Sequence, residues 1–184
     1  NTLIDMYAKS GMVRTAQKVL EQLSNRNEAS WSALITGFAQ QGQGHDALSC
    51  FERMQIEGFS PDAITFLSLL NACSHSGLLN EAQMYFEYMS SKYGIAPKTA
   101  HHTCLAIVFG SSGHFEMATS VINRIPFSDH LTAWITLIGA CRKWGNVKVG
   151  SLTFDRILQL DSSCAPAYVI MADIYAAAGM AEDA

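Results

Sequence analysis

Residues 31–54 read Trp-Ser-Ala-Leu-Ile-Thr-Gly-Phe-Ala-Gln-Gln-Gly-Gln-Gly-His-Asp-Ala-Leu-Ser-Cys-Phe-Glu-Arg-Met, and the fold is decided in them. Before Gly42, residues Leu34, Ile35 and Phe38 share one face of a helix with 3.6 residues per turn. After it, Ala47, Phe51 and Met54 share another. Glycine between two such stripes ends a helix in the left-handed conformation. The stretch therefore predicts helix, tight turn, helix.

The same pattern recurs outward in both directions. Gly11, Gly42, Gly77, Gly113, Gly145 and Gly179 each follow a polar or small pair, at spacings of 31, 35, 36, 32 and 34 residues. Eight positions before them stand Leu3, Leu34, Leu69, Leu105, Leu137 and Met171, and four before them Tyr7, Phe38, Cys73, Phe109, Cys141 and Tyr175. Five after them a small residue stands every time: Ala16, Ala47, Ala82, Ala118, Gly150 and Ala184. A small side chain there suits a close helix crossing. One helix pair cannot bury both of its stripes, so neighbours must stack on it. The expectation is an all-α fold, an α-solenoid of stacked antiparallel helix pairs. Joints between pairs carry helix-start chemistry: Pro61-Asp62, with Asp62 as N-cap, Pro97-Lys98, Pro126, and Pro166 in the first turn of the last helix.

Composition agrees with a packed domain. In 184 residues, 49% are hydrophobic and 15% charged, too apolar for disorder. No apolar run reaches the ~18 residues of a membrane helix; the longest candidate, near Tyr168–Ala181, contains Asp173. No membrane partner is expected, and residue 1 opens no basic or signal-type leader. Five cysteines without a Cys-x-x-Cys fit neither a disulfide framework nor a structural zinc site, and point to a reducing compartment. The net charge of −4 counts against a non-specific nucleic-acid binder.

The stripes and joints together resemble pentatricopeptide repeats, specifically the plant PLS-type arrays that alternate three repeat variants, along essentially the whole chain. The residues that carry the resemblance include Trp31-Ser32-Ala33-Leu34-Ile35 with Gly58-Phe59-Ser60-Pro61-Asp62, and Leu70-Asn71-Ala72-Cys73-Ser74-His75-Ser76-Gly77. Towards the end, Gly139-Ala140-Cys141-Arg142-Lys143-Trp144-Gly145-Asn146-Val147 and Leu158-Gln159-Leu160-Asp161 look like an E-type extension. The resemblance implies a partial S-type repeat at 1–27, a P-type repeat at 28–62, an L-type repeat at 63–98 and an S-type repeat at 99–130. A first E-type motif at 131–164 and a partial second at 165–184 follow. It also implies a right-handed superhelix, and that the sequence starts at the fifth residue of a repeat, as a piece of a longer array.

Such arrays read single-stranded RNA at one base per repeat. The family's reading pair is the fifth and last residues of a repeat, which here are Asn1 with Asn27, Ser32 with Asp62, Leu67 with Lys98, and Thr103 with His130. For Ser32 with Asp62 the implied base is guanine: a carboxylate accepts only, and would take guanine's imino and amino protons. Asn1 with Asn27 resembles a pyrimidine reader. Leu67 has no hydrogen-bonding group, which makes its repeat a spacer, and Thr103 with His130 carries no assigned base. Ala29, Ile64 and Ala100 would flank bases. Lys9 occupies a phosphate-contact position, where later repeats hold Gln40, His75 and Ser111. Asp62 equally suits a cap, Asn27 a turn and Thr103 a cap. Trp31, Phe66, Trp134 and Tyr168 form one repeat column and read as core, and Cys73 and Cys141 as buried thiols. Arg142-Lys143 and Lys148 read as a solvated face.

Enzymatic chemistry finds little support. His114-Phe115-Glu116 matches the first half of a zinc-deaminase signature, but no Pro-Cys-x-x-Cys follows. His101-His102 with Cys104 lacks a fourth metal ligand. No catalytic residue, metal or cofactor is expected. The resemblance implies sequence-specific RNA binding in a mitochondrion or plastid, as a specificity factor for C-to-U editing. Residues 131–184 would recruit or position a deaminase. The severed stripes at both ends predict end-to-end self-association. The rival reading is a protein-interaction scaffold of tetratricopeptide kind, which Trp31, Leu34, Phe38, Ala47, Phe51 and Pro61 also match. Against it, the slot after Leu holds Ile4, Ile35, Leu70, Ala106, Ile138 or Ala172 instead of Gly.

Overall fold

The computed structural model describes residues 2–180, and among them every regular element is helical. The helices are α1 (Thr2–Lys9), α2 (Val13–Gln22), α3 (Glu28–Gln40), α4 (Gly44–Ile56), α5 (Ala63–Ser76), α6 (Leu79–Ser91), α7 (Thr99–Ser111), α8 (Phe115–Ile122), α9 (His130–Trp144), α10 (Val147–Leu160) and α11 (Ala165–Ala177). A 3-10 turn at Phe127–Asp129 leads into α9. The chain divides into two compact units, the first ending at Pro97 and the second beginning at Lys98.

The first unit holds three helix pairs, α1/α2, α3/α4 and α5/α6. First helices pack on first helices, α1 on α3 and α3 on α5, while α2 also leans on α3 and α4 on α5. The second unit repeats this scheme: α7 pairs with α8, α9 with α10, and α9 lies between α7 and α11. Each unit is thus a short stack of antiparallel pairs, the solenoid unit expected from the repeats.

The columns read from the sequence form the two cores. Leu34, Leu69, Leu105, Leu137 and Met171 are buried, as are Ile35, Leu70, Ala106 and Ile138 one residue on. Ala16, Ala47, Ala82 and Ala118 are buried, and Gly150 faces Ile174 so closely that a Cβ would sit 3.0 Å from its Cδ1. Ala184, the last of that column, lies outside the described residues. Two column members depart. Leu3 is exposed, because α1 has no described helix pair before it. Tyr168, expected in the core with Trp31, Phe66 and Trp134, is also exposed: it rests edge-on against Phe154 and donates its hydroxyl to the Ser162 carbonyl 3.0 Å away.

All six turn glycines have positive φ. The need is clearest at Gly77, the left-handed C-cap of α5 (φ 67°), after which Leu78 N–H reaches back to the Cys73 carbonyl at 3.0 Å. A side chain at that φ would cost about 1–2 kcal/mol. Close approach governs Gly37 instead. A Cβ there would stand 2.8 Å from Ala8 Cβ, so α1 and α3 meet almost backbone to backbone.

Polar bonds across one repeat period tie the pairs together. Arg14 meets Asp46 at 2.6 Å, Arg53 meets Glu21 at 3.2 Å, and Arg142 meets Asp173 at 3.0 Å. Arg26 grips both Glu57 oxygens at 2.9 and 2.8 Å and donates to the Leu20 and Glu21 carbonyls as well. Most arginines are therefore occupied in holding one repeat to the next. Cys50, Cys73, Cys104, Cys141 and Cys164 are all buried and unbridged. Burial pushes the thiols of Cys50, Cys73 and Cys104 up to about 12.

Candidate nucleic-acid interface

Helix starts build the candidate interface, because the first turn of each first helix carries the residues singled out above. At the start of α3, Asn27 is extended and its Oδ1 accepts from Ser30 N–H at 2.9 Å. In return the Asn27 N–H donates to Ser30 Oγ at 3.0 Å, closing a capping box. Asp62 does the same for α5. Its Oδ1 accepts from Thr65 N–H at 2.8 Å and from the Thr65 hydroxyl at 2.8 Å, while the Asp62 N–H lies 3.4 Å from Thr65 Oγ1. Asp62 is thus a cap in fact. Its second oxygen, Oδ2, makes no hydrogen bond among the described residues.

One groove of about 560 Å³ in the first unit gathers Lys9, Asn27, Ala29, Ser32, Asp62 and Ile64. Asp5, Glu28, Thr36 and Gln40 also line it. Ser32 is half-buried on α3, one turn beyond the cap, and its Oγ lies 2.7 Å from Thr65 Oγ1 of the next repeat. Below this contact Thr36 Oγ1 and Ser68 Oγ meet at 2.7 Å, so α3 and α5 are joined by two hydroxyl rungs. Ile64 presents a 64% exposed side chain at the groove edge, and Ala29 is exposed at the matching place on α3. Lys9, the expected phosphate contact, reaches the groove but is paired with Asp5 at 2.7 Å. Three carboxylates, Asp5, Glu28 and Asp62, face that single cation, so the groove walls are acidic.

The remaining residues are not assembled in this way. Asn1 lies outside the described residues. Leu67 is half-buried on α5, whereas Lys98 belongs to the second unit, where it is exposed ahead of α7. A lysine cannot accept a hydrogen bond, and His101 Nδ1 takes up the Lys98 N–H at 3.1 Å instead. Ala100 is exposed. Thr103 donates its hydroxyl to the Thr99 carbonyl at 3.0 Å. His130 is turned elsewhere. Its Nε2 lies 3.0 Å from the Ile125 carbonyl, its ring packs on Phe127, and it lines a small pocket with Asn123, Trp134, Arg156 and Gln159. No bond or shared cavity joins Thr103 to His130. The cause is local: the 3-10 turn starts α9 one residue early, so Asp129 becomes the flanking residue and accepts from the Thr99 hydroxyl at 2.8 Å.

Thr65, buried behind the groove wall, is the residue that sequence reasoning did not single out. It is 0% exposed and touches both members of the Ser32–Asp62 pair. Its place three residues after a cap is a capping-box position, which is the signal that points to it. Among the described residues no group of three or more His, Cys, Asp or Glu is placed to hold a metal ion, and His101 is occupied as above. No helix among them is long and apolar enough to cross a membrane.

Comparison with known proteins follows the same residues. A family model described as "PPR repeat family" matches residues 26–75, and one described as "PPR repeat" matches 1–27 and 64–93. The chain is 36% identical over 182 residues to a mitochondrial pentatricopeptide repeat-containing protein of Arabidopsis thaliana, covering 99% of this chain and 30% of that protein. It is 38% identical over 183 residues to a chloroplastic one from the same plant, covering 100% of this chain and 22% of the relative. The chain therefore spans a quarter or so of the relatives it matches. In fold it is similar to the crystal structure of the maize pentatricopeptide repeat protein PPR10, with a TM-score of 0.85 at 19% identity over 99% of this chain and 27% of that one. PPR10 in complex with an 18-nucleotide psaJ RNA element gives 0.71 at 20% identity, over 93% of this chain and 26% of that one. Stacked helix pairs, left-handed glycine turns, matching family models and plant relatives that match this chain from end to end agree, and the chain belongs to the pentatricopeptide repeat family.

Proposed function

We propose that the chain binds single-stranded RNA and reads it base by base, with the Ser32–Asp62 pair as its guanine-selective reader. The observation that carries this is the shared groove: Asn27, Ser32 and Asp62 face one cavity, with Ala29 and Ile64 beside them where a base would lie. The Asp62 cap uses one carboxylate oxygen and leaves the other to accept. Similarity to a protein crystallised with RNA supports the same reading. The repeat boundaries proposed are 1–27, 28–62, 63–98 and 99–130, with E-type motifs at 131–164 and 165–184. In this reading the parent protein acts in a mitochondrion or plastid, as two relatives are named for those organelles. It would select sites for C-to-U editing, residues 131–184 positioning a deaminase, and carry out no chemistry itself. Exposed Leu3 and Met6 on α1, and Tyr168 and Val169 on α11, support end-to-end association.

Titration with single-stranded RNA at two salt concentrations tests the proposal. Because Lys9 is the one cation among the described residues of the groove and is already paired, few counterions are released. We expect log K against log[salt] to fall with a slope of roughly −1 or shallower, from about −0.7 per phosphate contacted. The acidic groove walls favour one second reading, a tetratricopeptide-like scaffold that takes a basic peptide. Undetectable RNA binding at low salt, with a basic peptide bound instead, would establish that reading and refute ours.

A further inference from the structure

We propose that Thr65 fixes the proton direction of the reading pair and so makes it select guanine. The inference rests on the base-reading role proposed above for Ser32 and Asp62. Thr65 Oγ1 is wholly buried, so no bulk water can satisfy it. It has one proton and three polar neighbours: Asp62 Oδ1 at 2.8 Å, Ser32 Oγ at 2.7 Å, and the Asp62 main-chain N–H, which donates to it at 3.4 Å. An ionised carboxylate has no proton to give, so the Thr65–Asp62 bond runs one way only, from hydroxyl to carboxylate. With its proton directed there, Thr65 can meet Ser32 only as acceptor. Ser32 must then be the donor in that contact, and it has no proton left for anything in the groove.

The groove is consequently faced by two acceptors, Ser32 Oγ and Asp62 Oδ2. That arrangement matches one base. Only guanine carries two adjacent donors, the N1 imino and the 2-amino group, on its Watson–Crick edge. Adenine and cytosine offer one amino group, and uracil one imino group. Were Ser32 free to donate, a donor beside an acceptor would also suit uracil, through O4 and N3–H, and adenine, through N1 and the 6-amino group. Thr65 is therefore a positioning residue: it touches no base, yet it removes those options. The preceding joint lacks the device. There the Ser30 hydroxyl donates to the Asn27 main-chain carbonyl at 2.8 Å, and the cap is a neutral amide.

The test uses the 184-residue chain and end-labelled 12-mers of cytidine holding a single guanosine, inosine, adenosine or uridine at the centre. Wild type is expected to prefer guanosine over each of the others by about tenfold or more. Thr65→Val, which replaces the hydroxyl by a methyl group, should cut the guanosine-to-adenosine and guanosine-to-uridine ratios about tenfold, and Thr65→Ser should restore them. Ratios unchanged in Thr65→Val, whatever happens to affinity or stability, overturn the inference while leaving the reading pair in place. Inosine keeps O6 and N1–H but lacks the 2-amino group, which gives a measurement on wild type alone, needed if Thr65→Val does not fold. Equal binding of inosine and guanosine means that Ser32 donates to O6 and likewise overturns the inference. No guanosine preference in wild type removes the reading pair itself, and the inference with it.

Discussion

Asp62→Asn separates the two roles that meet in one side chain. An asparagine carbonyl can replace Oδ1 and keep both bonds from Thr65, so the α5 cap survives. What is lost is the charge at the helix start, worth about 0.3–1 kcal/mol. The groove side changes far more. Where Oδ2 accepted, an amide N–H2 now donates, and it faces guanine's imino proton. Loss of a hydrogen bond to a charged group is worth about 1.5–3 kcal/mol, or roughly a tenfold to a hundredfold weaker hold on guanosine. Adenosine gains, since its N1 accepts. Asp62→Ala is the companion: it deletes two bonds, one from a buried hydroxyl, and should cost about 1–2 kcal/mol of stability. Fluorescence anisotropy against RNAs differing at one nucleotide, beside urea unfolding of the same proteins, gives both quantities. Preference moving from guanosine towards adenosine in a normally stable Asp62→Asn is the expected outcome. If preference stays put while Asp62→Ala loses stability, Asp62 is a cap only and the reading argument fails.

Two further predictions concern the fold. Arg26 and Glu57 are 26% and 28% exposed and joined bidentately, whereas Arg14 and Asp46 are 59% and 39% exposed. Arg26→Ala should therefore cost about 2 kcal/mol in urea unfolding and Arg14→Ala about 0.5 kcal/mol or less; equal losses would contradict the assignment of weight to burial. The thiols of Cys50, Cys73 and Cys104, raised by burial to about 12 from 9.0, keep their protons in the folded chain through a range where the unfolded chain has lost them. Above pH 9 the unfolded state then binds fewer protons than the native one, so stability should fall steadily between about pH 9 and 12 and hold below it. A flat denaturation midpoint across that range would show that these thiols titrate freely.

Much of the fold was legible because a repeat writes its core several times over. Ala16, Ala47, Ala82 and Ala118 stand in one register, and each marks a helix crossing that only a small side chain fits. Leu3 and Tyr168 obeyed the same register and are nonetheless exposed, since burial there depends on a neighbouring pair that the described residues do not supply. At the candidate site, the spacing of Ser32 and Asp62 was readable, but not Thr65 between them, whose role depends on which of three oxygens holds a proton across two helices. His130, taken as the last residue of its repeat, is a different case: the 3-10 turn at Phe127–Asp129 makes it the first residue of α9, and a turn of that kind leaves no mark in the repeat spacing.

The double duty of Asp62 limits how such a chain can be retuned to another nucleotide. Any replacement at that joint must still close the first turn of α5, which confines the usable alphabet to short side chains carrying an acceptor near the main chain: Asp, Asn, Ser or Thr. Lys98 shows the alternative: a lysine side chain accepts nothing, and the His101 N–H bonds the Lys98 carbonyl at 2.9 Å, so the first turn of α7 closes without a side-chain acceptor at the joint. Wider choice at a joint therefore gives up the side-chain cap, about 1 kcal/mol, and changes of recognition in this chain should arrive together with stabilising changes elsewhere.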